Sequence, residues 1–210
     1  MKAIMISDKP RWCAKIMNGE KTIEVRKNKA LETAIQKLIN EYGYAEIYVY
    51  CSKDNKQRLY PVALLDKSNQ VFKRAYREDK IDNRTNYLNG KVLFKFRCYK
   101  VEEITIGEDR RGSLFGSCHY GYHTESLRPN LLMEQSCLDV KELIDYLGKK
   151  TGYAIHISDL EIFDRPKELS EFCVRYPKED IKFEGVKGKL LAMKPLTKAP
   201  QNFCYVEVGE

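Results

Sequence analysis

The sequence predicts an α+β fold with a mostly antiparallel, barrel-like sheet and peripheral helices. Three observations lead there. Segments rich in aromatic and β-branched residues are spread along the whole chain, amphipathic helices stand singly between some of them, and no regular strand–helix–strand rhythm links them. At 210 residues the chain can bury a full core. It shows no internal repeat and no low-complexity tract, so it reads as a single domain over 1–210.

AIMIS (3–7) is a short strand. Pro10 then suits a first helical turn, Trp12, Cys13, Ile16 and Met17 follow at helical spacing, and Gly19 marks the stop. TIEVRK (22–27) alternates polar and apolar residues as a half-buried strand does. Leu31, Ala34, Ile35, Leu38, Ile39 and Tyr42 keep the i, i+3, i+4 pattern up to Gly43 and predict a helix. AEIYVYCS (45–52) and KVLFKFRCYKVEEI (91–104) read as strands. The polar, tyrosine-dotted stretch 53–90 between them has weak periodicity and no assignment. Residues 107–130, with four glycines, read as a long loop. Asp139 with Glu142 resembles a capping box ahead of Val140, Leu143, Ile144 and Leu147. YAIHISDLEIF (153–163) is a strand, Pro166 to Phe172 a short helix, and LLAMKPL (190–196) and NFCYVEV (202–208) are closing strands.

The charge is placed unevenly. The net charge is +7, and residues 1–30 alone carry eight Lys or Arg against three Asp or Glu. That favours a phosphate-bearing partner, although a basic solvated surface accounts for the charge equally well. The cysteines number seven, an odd count at scattered spacings, with no CxxC pair. Such usage points to a reducing compartment rather than to a disulfide framework or a zinc ribbon. No apolar run is long enough to span a bilayer, and the first residues lack a signal-peptide pattern, so the expectation is a cytoplasmic protein without a membrane partner. Nothing in the pattern sets an oligomeric state.

The chemistry-bearing stretch is Gly19-Glu20-Lys21-Thr22-Ile23-Glu24-Val25-Arg26. In a strand Thr22, Glu24 and Arg26 share one face while Ile23 and Val25 point the other way. The apolar pair is expected in the core and the polar trio on an open face or a cleft wall, with Lys21 at its mouth. A carboxylate between a Lys and an Arg can act as general base, and the cations can bind phosphate or steady an oxyanion. A lysine crowded by Arg26 and Lys27 can also have a lowered pKa. From spacing alone, a plain ion pair on a solvated sheet face is the simpler account.

Gly19, Lys21, Glu24 and Arg26 match the GxKxxExR signature of ASCH domains, and the chain resembles that family, whose fold is a PUA-like β-barrel. The signature follows a strand and a short helix carrying Lys9-Pro10, as is common there. Tyr48-Val49-Tyr50 resembles the next barrel strand. Tyr153 to Phe163 with Arg165-Pro166-Lys167-Glu168-Leu169, and Ala199-Pro200-Gln201 before NFCYVEV, look like later elements of the longer bacterial and phage members. On this resemblance 53–90 and 107–130 are insertions. It implies a cleft, floored by the signature strand, that binds RNA or a nucleotide; no cofactor is expected. Some members are ribonucleases. Small ones hydrolyse the amide of an acylated cytidine with the signature Lys, a Thr at the position of Glu24 and a distant Glu. Lys21 carries over, but Glu24 replaces the Thr, so that triad is not reproduced.

The catalytic candidates are therefore Lys21, Glu24 and Arg26. Lys9, Arg11, Lys21, Arg26 and Lys27 are candidates for RNA contact, with Tyr120 and Tyr122 as stacking residues from the 107–130 loop. His156, on the strand face away from Ile155 and Ile157, is a candidate proton shuttle at the cleft, or simply a structural hydrogen-bonder. Cys118, His119, His123 and Cys137 fit no familiar zinc spacing, so no metal is expected. The expected function is RNA binding with metal-independent ribonuclease (hydrolase) activity. The alternatives are an amidohydrolase for N-acylated cytidine-type nucleosides and a non-catalytic RNA or protein interaction module.

Overall fold

A computed structural model describes residues 2–65, 71–80, 87–108, 114–119, 129–148, 150–183 and 186–208. The first half of the chain runs β1 (Ala3–Asp8), α1 (Pro10–Met17), β2 (Ile23–Arg26), α2 (Lys29–Tyr42), β3 (Ala45–Cys51), β4 (Gln57–Leu65), β5 (Val71–Lys80) and β6 (Val92–Cys98). There follow β7 (Val101–Glu108), β8 (Leu114–His119), α3 (Pro129–Ser136), α4 (Val140–Leu147), β9 (Gly152–His156) and β10 (Ser158–Lys167). A single 3-10 turn (Leu169–Glu171) leads to β11 (Phe172–Phe183), β12 (Val186–Pro195) and β13 (Phe203–Val208). The fold is α+β, with four α-helices among the described residues.

The strands form three open sheets rather than one closed barrel. The largest has seven strands in the order β10-β6-β3-β1-β13-β11-β12; a second has the order β2-β9-β7-β8; and β4 pairs with β5 alone. Every pairing is antiparallel except β1 with β3, which run parallel through the crossover made by α1, β2 and α2.

Period-two alternation divides the core. Ile4 and Ile6 of β1, Ile47 and Val49 of β3 and Phe96 of β6 pack with α1, α2 and, from the smaller sheet, Tyr153 and Ile155. Ala3, Met5, Tyr48, Tyr50, Val92, Phe172 and Val206 fill the other face of the large sheet. Ile23, Val25, Ile104 and Ala154 turn to the far side of the small sheet, where Leu132 of α3 and Leu143 and Leu147 of α4 cover them. The small sheet is thus buried on both faces, and the face bearing Glu24 looks back toward the large sheet.

The local signals hold where they are strongest. The predicted helix ending at Gly43 is α2, capped by Asn28, whose Oδ1 accepts from the amides of Ala30 and Leu31. Gly43 ends it at φ +82°, donating to the Ile39 carbonyl. Asp139 and Glu142 form the expected capping box.

Elsewhere the structure differs from the sequence reading. The unassigned 53–90 contains the β4–β5 hairpin. The segment 91–104 is two strands broken at Tyr99–Lys100, with β6 in the large sheet and β7 in the small one. The expected loop 107–130 contains the end of β7, all of β8 and the start of α3. The strand 153–163 breaks at Ile157, again changing sheets. Pro166 lies in β10 instead of opening a helix. β10 is an edge strand, where a missing amide hydrogen costs no ladder bond, and its register shifts between Ile162 and Lys167. Among the described residues no helix is long and apolar enough to cross a membrane.

Candidate functional site

Two strands and a turn bring the site together. Asp8 closes β1 on the same face as Ile4 and Ile6, and Glu24 and Arg26 of β2 face it from the small sheet. Gly19, at φ +77°, ends α1 and turns the chain so that the amides of Glu20 and Lys21 return to the Lys15 carbonyl. Lys21 is thereby carried inward instead of standing at a mouth. It is only 3% exposed, whereas Thr22, expected beside Glu24, is exposed.

The charged groups form a chain. Lys21 Nζ donates to the Ser136 carbonyl at the end of α3, 2.9 Å away, and stands 3.3 Å from Glu24 Oε2. A cation at the carbonyl end of a helix is favourably placed. Arg26 Nε lies 2.8 Å from Glu24 Oε1, and Arg26 Nη2 donates to Asp8 Oδ1 at 2.8 Å and to the Ser7 carbonyl at 3.0 Å. Both Glu24 oxygens thus face a cation, although Oε2 makes no hydrogen bond, and Asp8 Oδ2 is likewise buried with no hydrogen-bond partner. Burial lowers the Arg26 pKa, but the Asp8 and Glu24 carboxylates outweigh it and hold the guanidinium charged. Burial acts the other way on Asp8. It pushes the carboxyl up to about 7, Glu24 adding to the effect and Arg26 and Lys21 opposing it.

Beside this chain lies an open cavity of about 470 Å³. It is lined by Asp8, Lys9 and Trp12, by Lys21, Glu24 and Arg26, and by Glu142, Asp145 and Tyr146 of α4. The three predicted catalytic residues therefore converge on one hollow of a size that suits a small ligand. Four carboxyl groups and three cations line it, so the cavity is not strongly electropositive, in contrast to the basic first segment as a whole.

The other candidates fall at different distances from it. Lys9 is at the rim. Arg11 pairs with Glu142 at 3.0 Å and lies over the Trp12 ring at 4.5 Å, bracing α1 against α4. Lys27 donates to the Tyr146 carbonyl at 2.9 Å and sits over its ring. Lys21 does not meet the cationic crowding expected from Arg26 and Lys27, because its Nζ faces Glu24 and a carbonyl. His156 lies on the side of β9 away from Glu24, opposite Ile23, and its Nε2 meets the fully buried Glu102 at 2.5 Å. It is a structural partner of Glu102 and does not line the cavity. Tyr120, Tyr122 and His123 lie outside the described residues, as do the side chains of Cys118 and His119. Among the described residues no group of three or more His, Cys, Asp or Glu could hold a metal ion.

Sequence reasoning missed Asp8, Trp12 and Tyr146. A signal for Asp8 was present, since alternation from Ile4 and Ile6 puts a carboxyl on the core-facing side of β1. Trp12 reads as core by helical spacing, and no local pattern brings α4 and its Tyr146 to α1. In comparisons with known proteins, no family model, curated protein or solved structure matches the chain.

Proposed function

We propose that the cavity binds one nucleotide unit of single-stranded RNA and that the protein is a metal-independent ribonuclease of the ASCH type, with the two facing sheets as its variant of a PUA-like core. The observation that carries this reading is the convergence of Lys21, Glu24 and Arg26, the residues of the signature, on a single hollow walled by Trp12 and Tyr146. Aromatic faces at a cavity wall are what a base stacks on. Arg26 and Lys21 supply donors toward a phosphate or a developing oxyanion, and Glu24, held between them, orients both. Lys9 at the rim meets the flanking backbone.

The test is incubation of the purified protein with short RNAs in EDTA. Wild-type protein should cleave, and Lys21→Met and Arg26→Lys should not. Cleavage that survives in both variants would be contamination and defeats the assignment. Because carboxyl groups outnumber cations in the cavity, binding should weaken only modestly with salt, with a slope of about −1 to −2 in log K against log salt. The same balance favours a second reading, in which the ligand is an uncharged acylated nucleoside and the reaction is amide hydrolysis. Release of carboxylate from N-acylcytidines, with RNA left intact, would select it.

A further inference from the structure

Resting on the ribonuclease reading, we infer that Asp8, and not the signature residue Glu24, is the base that takes the proton from the attacking ribose 2′-hydroxyl. Both Glu24 oxygens face cations: Oε1 stands 2.8 Å from Arg26, and Oε2, although it makes no hydrogen bond, stands 3.3 Å from the buried Lys21. Asp8 is engaged on one side only. Its Oδ1 accepts from Arg26, while Oδ2 is buried without a partner in a residue that lines the cavity. That unpaired oxygen has no exposed surface here, and it can accept a hydrogen bond from an incoming hydroxyl once a bound ligand shifts the groups that cover it.

The groups around Asp8 also suit the task. Arg26, Glu24 and Lys21 face it from β2 and the turn before it, Cys51 is its register neighbour on β3, and Cys13 and Tyr146 stand near it from α1 and α4. Lys9, Glu142 and Asp145 share its cavity. Burial brings its proton affinity close to neutrality, where a general base is most effective. In the step, Asp8 removes the 2′-hydroxyl proton, O2′ bonds to phosphorus and the bond from phosphorus to the 5′-oxygen breaks. Water in the open cavity protonates the leaving oxygen and Asp8 returns its proton to solvent. The products are a 2′,3′-cyclic phosphate and a 5′-hydroxyl.

The experiment compares wild type, Asp8→Asn and Asp8→Glu for cleavage of a short RNA across pH in EDTA, with RNA binding followed by fluorescence of Trp12, the sole tryptophan. Wild-type kcat/KM should rise with pH through about 7 and then level. Asp8→Asn should cleave about 100-fold more slowly while binding within about threefold of wild type, and Asp8→Glu should recover part of the rate with a displaced pH profile. Asp8→Asn that cleaves at the wild-type rate, or a wild-type profile without that rise, overturns the assignment to Asp8 and leaves the ribonuclease reading standing. Wild-type protein that cleaves no RNA at any pH overturns both.

Discussion

Lys21 and Glu24 are each buried in the presence of the other, and that mutual dependence governs what a change at either does. Lys21→Met keeps the bulk but leaves Glu24 to Arg26 alone, and should cost about 3 kcal/mol of stability. Lys21→Met with Glu24→Gln removes both charges of the pair and should cost less than the sum of the two single changes, measured by urea unfolding. Strict additivity would show that the two side chains act separately. Asp8 predicts a pH effect of definite sign. Its carboxyl has an ordinary value of 3.8 and is raised to about 7 in the fold, so between those values the folded chain holds a proton that the unfolded chain has lost. The contribution of this group to stability is therefore complete below the lower value and disappears as pH rises to the upper one. Asp8→Asn removes that component, so its urea midpoint should fall less than that of wild type between about pH 5 and pH 7.5. Equal falls in the two proteins would mean that the carboxyl is already ionised at the lower pH.

At the scale of the element, α4 connects stability to the site. Its inner face, Leu143 and Leu147, packs on Ile23 and Val25 of β2, and Glu142, Asp145 and Tyr146 line the cavity. Asp139→Ala breaks the capping box and should cost about 1 kcal/mol. It should also weaken ligand binding, because the Glu142 backbone amide loses its acceptor and the first turn of α4, whose Glu142 side chain holds Arg11, is loosened. Unchanged binding would show that the wall does not depend on the cap. Gly152 of β9 is a tight packing point of this layer. A Cβ there would come within 2.8 Å of the Leu147 methyl groups and 3.2 Å of Ile104 Cβ. Gly152→Ala should cost about 1–3 kcal/mol through overpacking, read as a lowered Tm.

Elements also show which parts of the fold are legible from sequence. The helix from Lys29 to Tyr42 could be read because an unbroken apolar stripe and Gly43 give the same answer. β2 could be read because alternation is strict from Ile23 to Arg26. The β4–β5 hairpin could not, since Pro61 stands inside β4, β5 is mostly polar and the two strands pair only with each other. The segments 91–104 and 153–163 each look like one strand because the residues on either side of Tyr99–Lys100 and of Ile157 are equally apolar. Only the three-dimensional arrangement sends the halves to different sheets. The site divides in the same way. Lys21, Glu24 and Arg26 are adjacent in sequence and carry a recognisable spacing, whereas Asp8, Trp12 and Tyr146 join them only when β1, α1 and α4 are packed together.

Across the whole molecule, β1 is the element on which most of this depends. It lies fourth in a seven-stranded sheet, with β3 parallel on one side and β13 antiparallel on the other, and its last residue is Asp8. Its two neighbours leave the ribosome at very different times. β3 follows after some forty residues of chain, while β13 is made only when synthesis reaches 203–208. A nascent chain stalled before Phe203 therefore holds Asp8 on a strand paired on a single side. Such a chain should show no ligand-induced change in Trp12 fluorescence until residues 203–208 are supplied, so the site would be completed by a strand made after every residue of the cavity.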